Sequence, residues 1–484
     1  MKTCSSTKIT ALAAFLIMFS ATSAFAQDMF DTRIDYAVGD GPSSVFSADF
    51  NGDGYNDLAT ANWDSDNVSI LLGNGDGTFQ SAVNYAVGYG SNSVFSADFD
   101  GDGNNDLATA NYYSDNVSIL LGNGDGTFQS AVNYAVGDGP YSVFSADFNG
   151  DGYNDLATAN DSSDNVSILL GNGDGTFQSA VNYAVGDGPE SVFSTDFDGD
   201  GNNDLATANF YSNNVSILLG NGDGTFQSAV NYAVGDTPHS VFSVDFNGDG
   251  NNDLATANSG NLGNPGDVSI LLGNGDGTFQ SAVNYAVGYS PRSVFSADFN
   301  GDGDNDLATA NSEDWENPGD VSILLGNGDG TFQSAVNYAV GRWPNSVFSA
   351  DFDGDGDNDL ATANENSHNV SILLNQTHGT DAVDDSPTEQ LPSGFELAQN
   401  YPNPFNPSTT IKYSVVTKSR VVIDIYNLLG QRVTTLVDKV QSANTYEIQW
   451  KGKDNHGKAV ATGVYFYRVK MGDYTSSKKM LLIR

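Results

Sequence analysis

The sequence predicts an all-β chain, and three observations carry that expectation. A nine-residue acidic motif, first met as "DFNGDGYND" at 49–57, restarts at Asp98, Asp147, Asp196, Asp245, Asp298 and Asp351, at intervals of 49, 49, 49, 49, 53 and 53 residues. A fixed period of this length marks a repeat architecture. The stretches between motifs are short β-branched and aromatic runs punctuated by Gly, Asn and Asp, with no helical period. Beyond residue 394 the chain turns basic and again reads as alternating strands.

The elements of one unit follow in order. "SSVFSADF" (43–50), "DLATAN" (57–62), "NVSILLG" (67–73) and "TFQSAVNYAVG" (78–88) each read as a strand. "NGDG" (74–77) is a tight hairpin signal, because Asn and Gly tolerate positive φ. Four strands repeated in this way make the blade of a β-propeller. The seventh unit stops at "NVSILLNQTHGT" (369–380) without a fourth strand, while "MFDTRIDYAVGDGP" (29–42) matches "TFQSAVNYAVGDGP" (127–140) with no three-strand unit before it. The fold expected over 27–374 is therefore a seven-bladed β-propeller whose N-terminal strand completes the last blade and leaves no open edge.

The flanks differ in kind. Residues 1–26 have the parts of a secretory signal: Lys2 and Lys8, an apolar stretch from Ile9 to Phe19, and Ala24-Phe25-Ala26 as a small-x-small cleavage site. The apolar run is shorter than the ~20 residues that span a bilayer, so no transmembrane segment is expected. The only cysteine, Cys4, lies inside this segment, and the mature chain has no disulfide, thiol nucleophile or Cys-bound metal. Residues 375–394 form a polar, acidic linker. Residues 395–484 are expected to fold as a small Ig-like β-sandwich, with strands at "TTIKYSVV", "RVVIDIYN", "TYEIQW", "GVYFYRVK" and "SKKMLLI".

Charge excludes one class of partner. Residues 27–394 carry 55 Asp and Glu against Arg33, Arg292 and Arg342 alone, whereas 395–484 carry 13 Lys and Arg against 6 acids. A body this acidic repels nucleic acid and anionic membranes, which are bound through clustered Lys and Arg.

The acidic motif reads D-x-[DN]-x-D-G-x-x-D. Calcium takes about six to eight oxygens, so a site needs several carboxylates converging on one point. Positions 1, 3 and 5 can point inward, the Gly at 6 permits the turn, position 7 offers its carbonyl, and the Asp at 9 closes the cage. The expected ligand sets are Asp49, Asn51, Asp53, Tyr55 and Asp57; Asp98, Asp100, Asp102, Asn104 and Asp106; Asp147, Asn149, Asp151, Tyr153 and Asp155; Asp196, Asp198, Asp200, Asn202 and Asp204. Three more follow: Asp245, Asn247, Asp249, Asn251 and Asp253; Asp298, Asn300, Asp302, Asp304 and Asp306; Asp351, Asp353, Asp355, Asp357 and Asp359. EF-hands and dockerins open in the same way but continue into a helix, whereas here the strand "DLATAN" follows.

"FNGDGYNDLATAN" and "LLGNGDGTFQ" make residues 29–380 resemble the FG-GAP/VCBS repeat family, whose calcium-binding blades also occur in integrin alpha-subunit propellers. The resemblance implies one structural Ca²⁺ per blade, in the hairpin between the first and second strands.

Comparison of the units with one another shows where sameness stops. The loops after strands one and three barely vary, and those after strands two and four carry nearly all the differences. That variable face collects Trp63, Tyr112, Tyr113, Tyr141, Phe210, Tyr211, Tyr289, Trp315 and Trp343, with Arg292, Arg342 and His239. Aromatic rings among scattered polar groups suit stacking on sugars or a protein contact, although near-identical units also drift first in their loops. No nucleophile elbow, HExxH or phosphate loop appears. Two enzyme alternatives stay open: a carboxylate pair drawn from Asp64, Glu190, Glu313 or Glu316, or a lyase pairing calcium with one of the few bases.

The last unit resembles the type A sorting domain of the type IX secretion system of Bacteroidota, through "LAQNYPNPFNPST" (397–409), "IDIYNLLGQRV" (423–433), "GVYFYRVK" (463–470) and "KKMLLIR" (478–484). The resemblance implies passage through the periplasm, export across the outer membrane by the type IX machinery, and removal of the domain to leave a released or surface-attached passenger. Together these features point to a calcium-binding adhesion module for glycan or protein. A polysaccharide-acting enzyme and a purely structural surface protein are the alternatives.

Overall fold

The structure, a computed structural model, describes residues 29–260, 265–312, 318–377 and, with short gaps, 397–482. The expected signal segment, most of the expected linker, Trp315, Glu313 and Glu316 lie outside those residues. The chain divides between Thr380 and Asp381 into two compact units.

In the first unit each repeat folds into a four-stranded antiparallel sheet, and seven such sheets occur among the described residues. In the first repeat the strands are Pro42–Ala48, Asp57–Asn62, Asn67–Leu71 and Val83–Ala86. "DLATAN" is buried at every position, because both of its faces are covered by neighbouring sheets. Phe50, Ala59, Ala61, Val68 and Ile70 of the first repeat pack on Val94, Leu107, Leu120 and Phe128 of the second. The small alanines let the sheets approach, and the larger side chains of the next repeat fill the space. The core is thus distributed over the contacts between sheets rather than gathered in one place.

The fourth strand is shorter than the expected 78–88. Phe79 forms an isolated bridge to Gly73 and turns into the contact between sheets, and regular pairing resumes only at Val83–Ala86. The last repeat is completed from the other end of the chain: Ile34–Ala37 pairs antiparallel with Asn369–Leu373, from Ile34 opposite Ile372 to Ala37 opposite Asn369. Pairing runs past residue 374, where the sequence placed the edge of the linker. Phe30 bridges Asn375, and the Gln376 amide donates to the Met29 carbonyl at 2.7 Å.

The first strands meet one another through a series of phenylalanines. Phe46, Phe95, Phe144, Phe193, Phe242, Phe295 and Phe348 have successive centroid distances of 4.8–5.0 Å, and the series returns on itself at Phe46–Phe348, 4.9 Å. Beside them a serine hydroxyl of each first strand accepts an amide from the next, as in Val143 N to Ser93 Oγ (3.3 Å), and Val45 N to Ser346 Oγ (3.3 Å) joins the ends of the series. Each ring is half-buried and touches two others. We expect Phe144→Ala to cost about 2–4 kcal/mol, read as a lowered thermal unfolding midpoint with the β-sheet circular dichroism retained.

The second unit holds a two-stranded sheet, Thr409–Val415 with Asn444–Trp450, and a four-stranded sheet ordered Arg432–Gln441, Ser419–Asn427, Gly463–Met471, Tyr474–Leu482. Ile411, Tyr413 and Trp450 from the first share one apolar cluster with Ile423, Tyr467 and Met480 from the second. The strand Arg432–Gln441 was not expected. Its charged and threonine positions blur the alternation, yet Val437 and Gln441 are buried.

Candidate metal centres and the variable end

Each acidic motif lies in the hairpin between the first and second strands and is organised by its own carboxylates. In the first repeat Asp49 accepts the amides of Gly52 (2.7 Å) and Gly54 (2.9 Å), Asn51 that of Asp53 (2.9 Å), and Asp53 that of Tyr55 (2.9 Å). Gly52 and Gly54 have φ of 74° and 89°, the left-handed conformation that the turn requires. The Tyr55 side chain rests on Gly75 of the NGDG hairpin, where a Cβ would lie 2.3 Å from the ring.

The Asp at position 9 has a second task. Asp57 is fully buried and accepts Phe50 N at 2.8 Å and Gly73 N at 2.7 Å, pinning the loop to the third strand. Burial pushes its carboxyl up to about 6 against those two bonds, with repulsion from Asp53 and Asp49 adding to the rise. Asp106, Asp155, Asp204 and Asp253 are likewise raised to about 6, and Asp306 and Asp359 to about 7, burial being the first cause in each.

The seven loops are not equivalent. Carboxylate oxygens converge within 4.8 Å of one another in Asp98/Asp100/Asp106, Asp196/Asp198/Asp204 and Asp351/Asp353/Asp355. These are the three loops with Asp at position 3. In the other four, Asn stands there and its amide donates to the Asp at position 5, as in Asn51 Nδ2 to Asp53 Oδ2 at 3.0 Å and Asn149 Nδ2 to Asp151 Oδ2 at 2.9 Å. The all-oxygen, carboxylate-rich donor sets fit a hard divalent cation. The fit is closest where three carboxylates already face one another.

Position 8, always Asn, escaped the sequence analysis. Asn105 Nδ2 donates to the carbonyl of Asp49 at 2.7 Å, Asn154 to Asp98 at 2.8 Å, and so on through the repeats, while Asn56 donates to Asp351 at 2.7 Å. Each acidic loop is thereby tied to the one before it. The "ND" shared by all seven motifs was the available signal.

The opposite end of the sheets carries the variation. Every first strand has a β-bulge at one register position, between residues such as Pro140 and Ser142. The bulged residues are Ser43, Asn92, Tyr141, Glu190, His239, Arg292 and Asn345. Six residue types that differ in charge, size and polarity stand here within a strand otherwise close to "SVFSAD", and bulges commonly re-aim a side chain at a functional site. Several of these side chains meet. His239 Nδ1 lies 2.5 Å from Glu190 Oε2 and its Nε2 3.1 Å from Ser259 Oγ, and Arg292 Nη1 lies 3.2 Å from that Nε2.

Among the expected face residues, Trp63 packs on Tyr112 and Tyr113 at centroid distances of 5.3 and 5.0 Å, and Tyr112 meets Tyr141 at 6.2 Å and donates to Asp161. Phe210 packs on Tyr211 and on His239. Tyr113 and Tyr211 are about two-thirds exposed. Trp343 is half-buried with a φ of 56°. Glu190 is engaged by His239 rather than by a second carboxylate.

Comparison with known proteins follows the same division. The FG-GAP-like repeat matches at residues 49–109, 98–158, 147–207, 196–256, 245–309 and 298–362, and a secretion system C-terminal sorting domain matches at 399–483. No curated protein matches the chain. Among solved structures, BBS1N in complex with ARL6DN, soaked with lead, is similar at a TM-score of 0.52 and 13% identity, covering 73% of this chain and 98% of that one. The mercury-soaked form gives 0.52 and 12% over the same shares. A functionally unknown protein from Desulfotomaculum acetoxidans reaches a TM-score of 0.47 at 11% identity, over 68% of this chain and 90% of its own. At such identities the likeness concerns the fold alone, an all-β, propeller-like array of four-stranded sheets.

Proposed function

This chain belongs to the FG-GAP-like repeat family and carries a type IX sorting domain, and from that premise we propose that it is a calcium-stabilised binding module of the cell surface. The sorting domain implies export to the cell surface or extracellular space by the type IX machinery. No helix among the described residues is long and apolar enough to cross a membrane. The seven sheets are read as blades of a closed propeller, for which the Phe46–Phe348 and Val45–Ser346 contacts speak. The domain plan is a leader over 1–26, the propeller over 27–374, a linker over 375–394 and an Ig-like sorting sandwich over 395–484.

Calcium is assigned a structural role at about one ion per blade. The residues that would hold it are the carboxylates and position-3 amides of the acidic loops. When bound, the ion supplies the positive charge that these clusters lack. The chain's own part is to hold the loops open toward one centre and to keep them tied in series through the position-8 asparagines.

One observation carries the binding assignment: the repeats agree at the end that bears the acidic loops and differ at the end that bears Trp63, Tyr112, Tyr113, Tyr141, Phe210 and Tyr211. Calcium thus maintains a scaffold, and the far end presents a composite surface to glycan or protein. Incubating the purified chain with a glycan array and with surface-protein extracts in millimolar calcium tests this. Saturable binding that Trp63→Ala weakens at least tenfold is expected. Release of oligosaccharide products would favour the enzyme alternative, and absence of any ligand in both formats would favour a structural surface protein.

A further inference from the structure

Of the three arginines in the acidic repeat region, Arg33 and Arg292 are placed differently. Arg33 has Asp35 beside it at 3.4 Å. Arg292 stands at a bulge, and among the described residues its guanidinium meets only the His239 ring, at 3.2 and 3.4 Å from Nη1; its Nε is buried without a partner. The His239 ring touches both this arginine and Glu190. Burial holds the His239 imidazole below its ordinary value, against the pull of Glu190, so the ring is neutral. Its Nδ1–H then donates to Glu190 and its Nε2 accepts from the Ser259 hydroxyl, while Arg292 Nη1, nearly equidistant from the two ring nitrogens, lies against the ring. Glu190 is satisfied by an imidazole N–H, and among the described residues no carboxylate pairs with the planar donor fork of Arg292.

We propose that this bulged cluster recognises a uronic acid unit of a glycan, with Arg292 receiving the carboxylate and the adjoining aromatic rings receiving the faces of the sugars. The inference rests on the assignment of the variable end as the binding end and names the ligand class. A guanidinium with free N–H groups pairs best with a planar oxyanion taken bidentately. Glu190, Asp161 and Glu365 surround the site closely enough to act on Tyr141, so one carboxylate facing Arg292 is tolerated while nucleic acid or a heavily sulfated chain is repelled. Trp63 with Tyr112, and Tyr211 with Phe210 against the His239 ring, offer ring faces. The Tyr141 phenol has no hydrogen-bond partner among the described residues, and the negative charge of Glu190, with burial, pushes it up, so it stays a donor suited to a sugar hydroxyl.

Titration calorimetry of the full chain in calcium with trigalacturonate, and separately with its methyl ester, tests the inference. Binding of the acid is expected, weakened at least tenfold by esterification and by Arg292→Gln, partly restored in Arg292→Lys, and unchanged in Arg33→Gln, which removes the same charge elsewhere. Equal binding of acid and ester, equal binding by Arg292→Gln, or no binding of the acid overturns it. Should Arg292→Gln unfold, judged by its thermal midpoint against Arg33→Gln, the acid-to-ester ratio on the unaltered chain decides alone. A glycan or protein ligand lost in Trp63→Ala but kept in Arg292→Gln overturns this inference while leaving the variable end as the binding end.

Discussion

Excess chelator is expected to lower the thermal unfolding midpoint of the repeat unit by roughly 10 °C or more. The loops place 24 aspartates at positions 1, 3, 5 and 9 in a region that holds three arginines and no lysine. At affinities of about 0.1–1 mM and millimolar calcium, mass action contributes on the order of 1 kcal/mol per site. Several sites together then rival the net stability of an ordinary domain. The three loops whose carboxylates already converge should dominate. Asp100→Asn, Asp198→Asn and Asp353→Asn, which give each the position-3 residue of the weaker loops, should recover a good part of the chelator effect when combined. An identical midpoint with and without chelator sinks the structural role of calcium.

The same experiment has a pH dependence whose sign is fixed by the position-9 aspartates. Their folded-state values, about 6 for Asp57, Asp106, Asp155, Asp204 and Asp253 and about 7 for Asp306 and Asp359, lie above the ordinary 3.8. Between about pH 4 and 7 the metal-free fold therefore binds more protons than the unfolded chain, and its stability falls as pH rises through that window. Calcium held by these loops would act in the opposite sense, because it would need the ionised carboxylates and compete with protons. The gap between calcium-loaded and chelated midpoints should widen from pH 5 to pH 7.5. A constant gap would show that these aspartates take no part in binding the metal.

What the sequence disclosed and what it concealed divide along a physical line. Period, strand order and the displaced first strand were legible because they repeat: the match of 29–42 to 127–140 is a statement about pairing before any coordinate exists. The ladder of "DLATAN" and "NVSIL" followed from composition for the same reason. The internal differences among the loops were not legible, because they depend on what an Asn amide does with a neighbouring carboxylate. Asn51 and Asp100 occupy the same column, yet Asn51 donates to Asp53 whereas Asp100 faces Asp98 and Asp106. The bulge was concealed too. Tyr141, His239 and Arg292 were picked out for their chemistry, but a pattern of alternation cannot show that one extra residue in each first strand turns them, with Glu190, toward one another.

Deleting residues 29–38 is expected to abolish cooperative folding of the repeat unit at 37 °C, a loss out of proportion to ten residues. Ile34–Ala37 covers the edge of Asn369–Leu373, whose Val370 to Leu373 are buried, and Ser371 Oγ donates to Asp35 at 2.7 Å. The segment also spans three repeats. Phe30 is 7% exposed and packs on Phe299 and Tyr338 of the sixth, at centroid distances of 6.0 and 5.1 Å, while Tyr36 packs on Phe79 of the first at 5.4 Å. Its removal opens two apolar contacts and leaves a row of unpaired backbone groups that invites strand addition from another chain. Phe30→Ala and Tyr36→Ala should each cost about 2–4 kcal/mol, which grades the effect without deletion. Moving residues 29–38 to follow Thr377 through a short glycine-serine linker restores the same pairing from the other side. That permutant should recover a midpoint within a few degrees of the unaltered chain, because the strand acts through the contacts it makes rather than through its place in the sequence. A deletion that unfolds with the original midpoint, or a permutant no more stable than the deletion, would mean that the final repeat does not depend on the N-terminal strand.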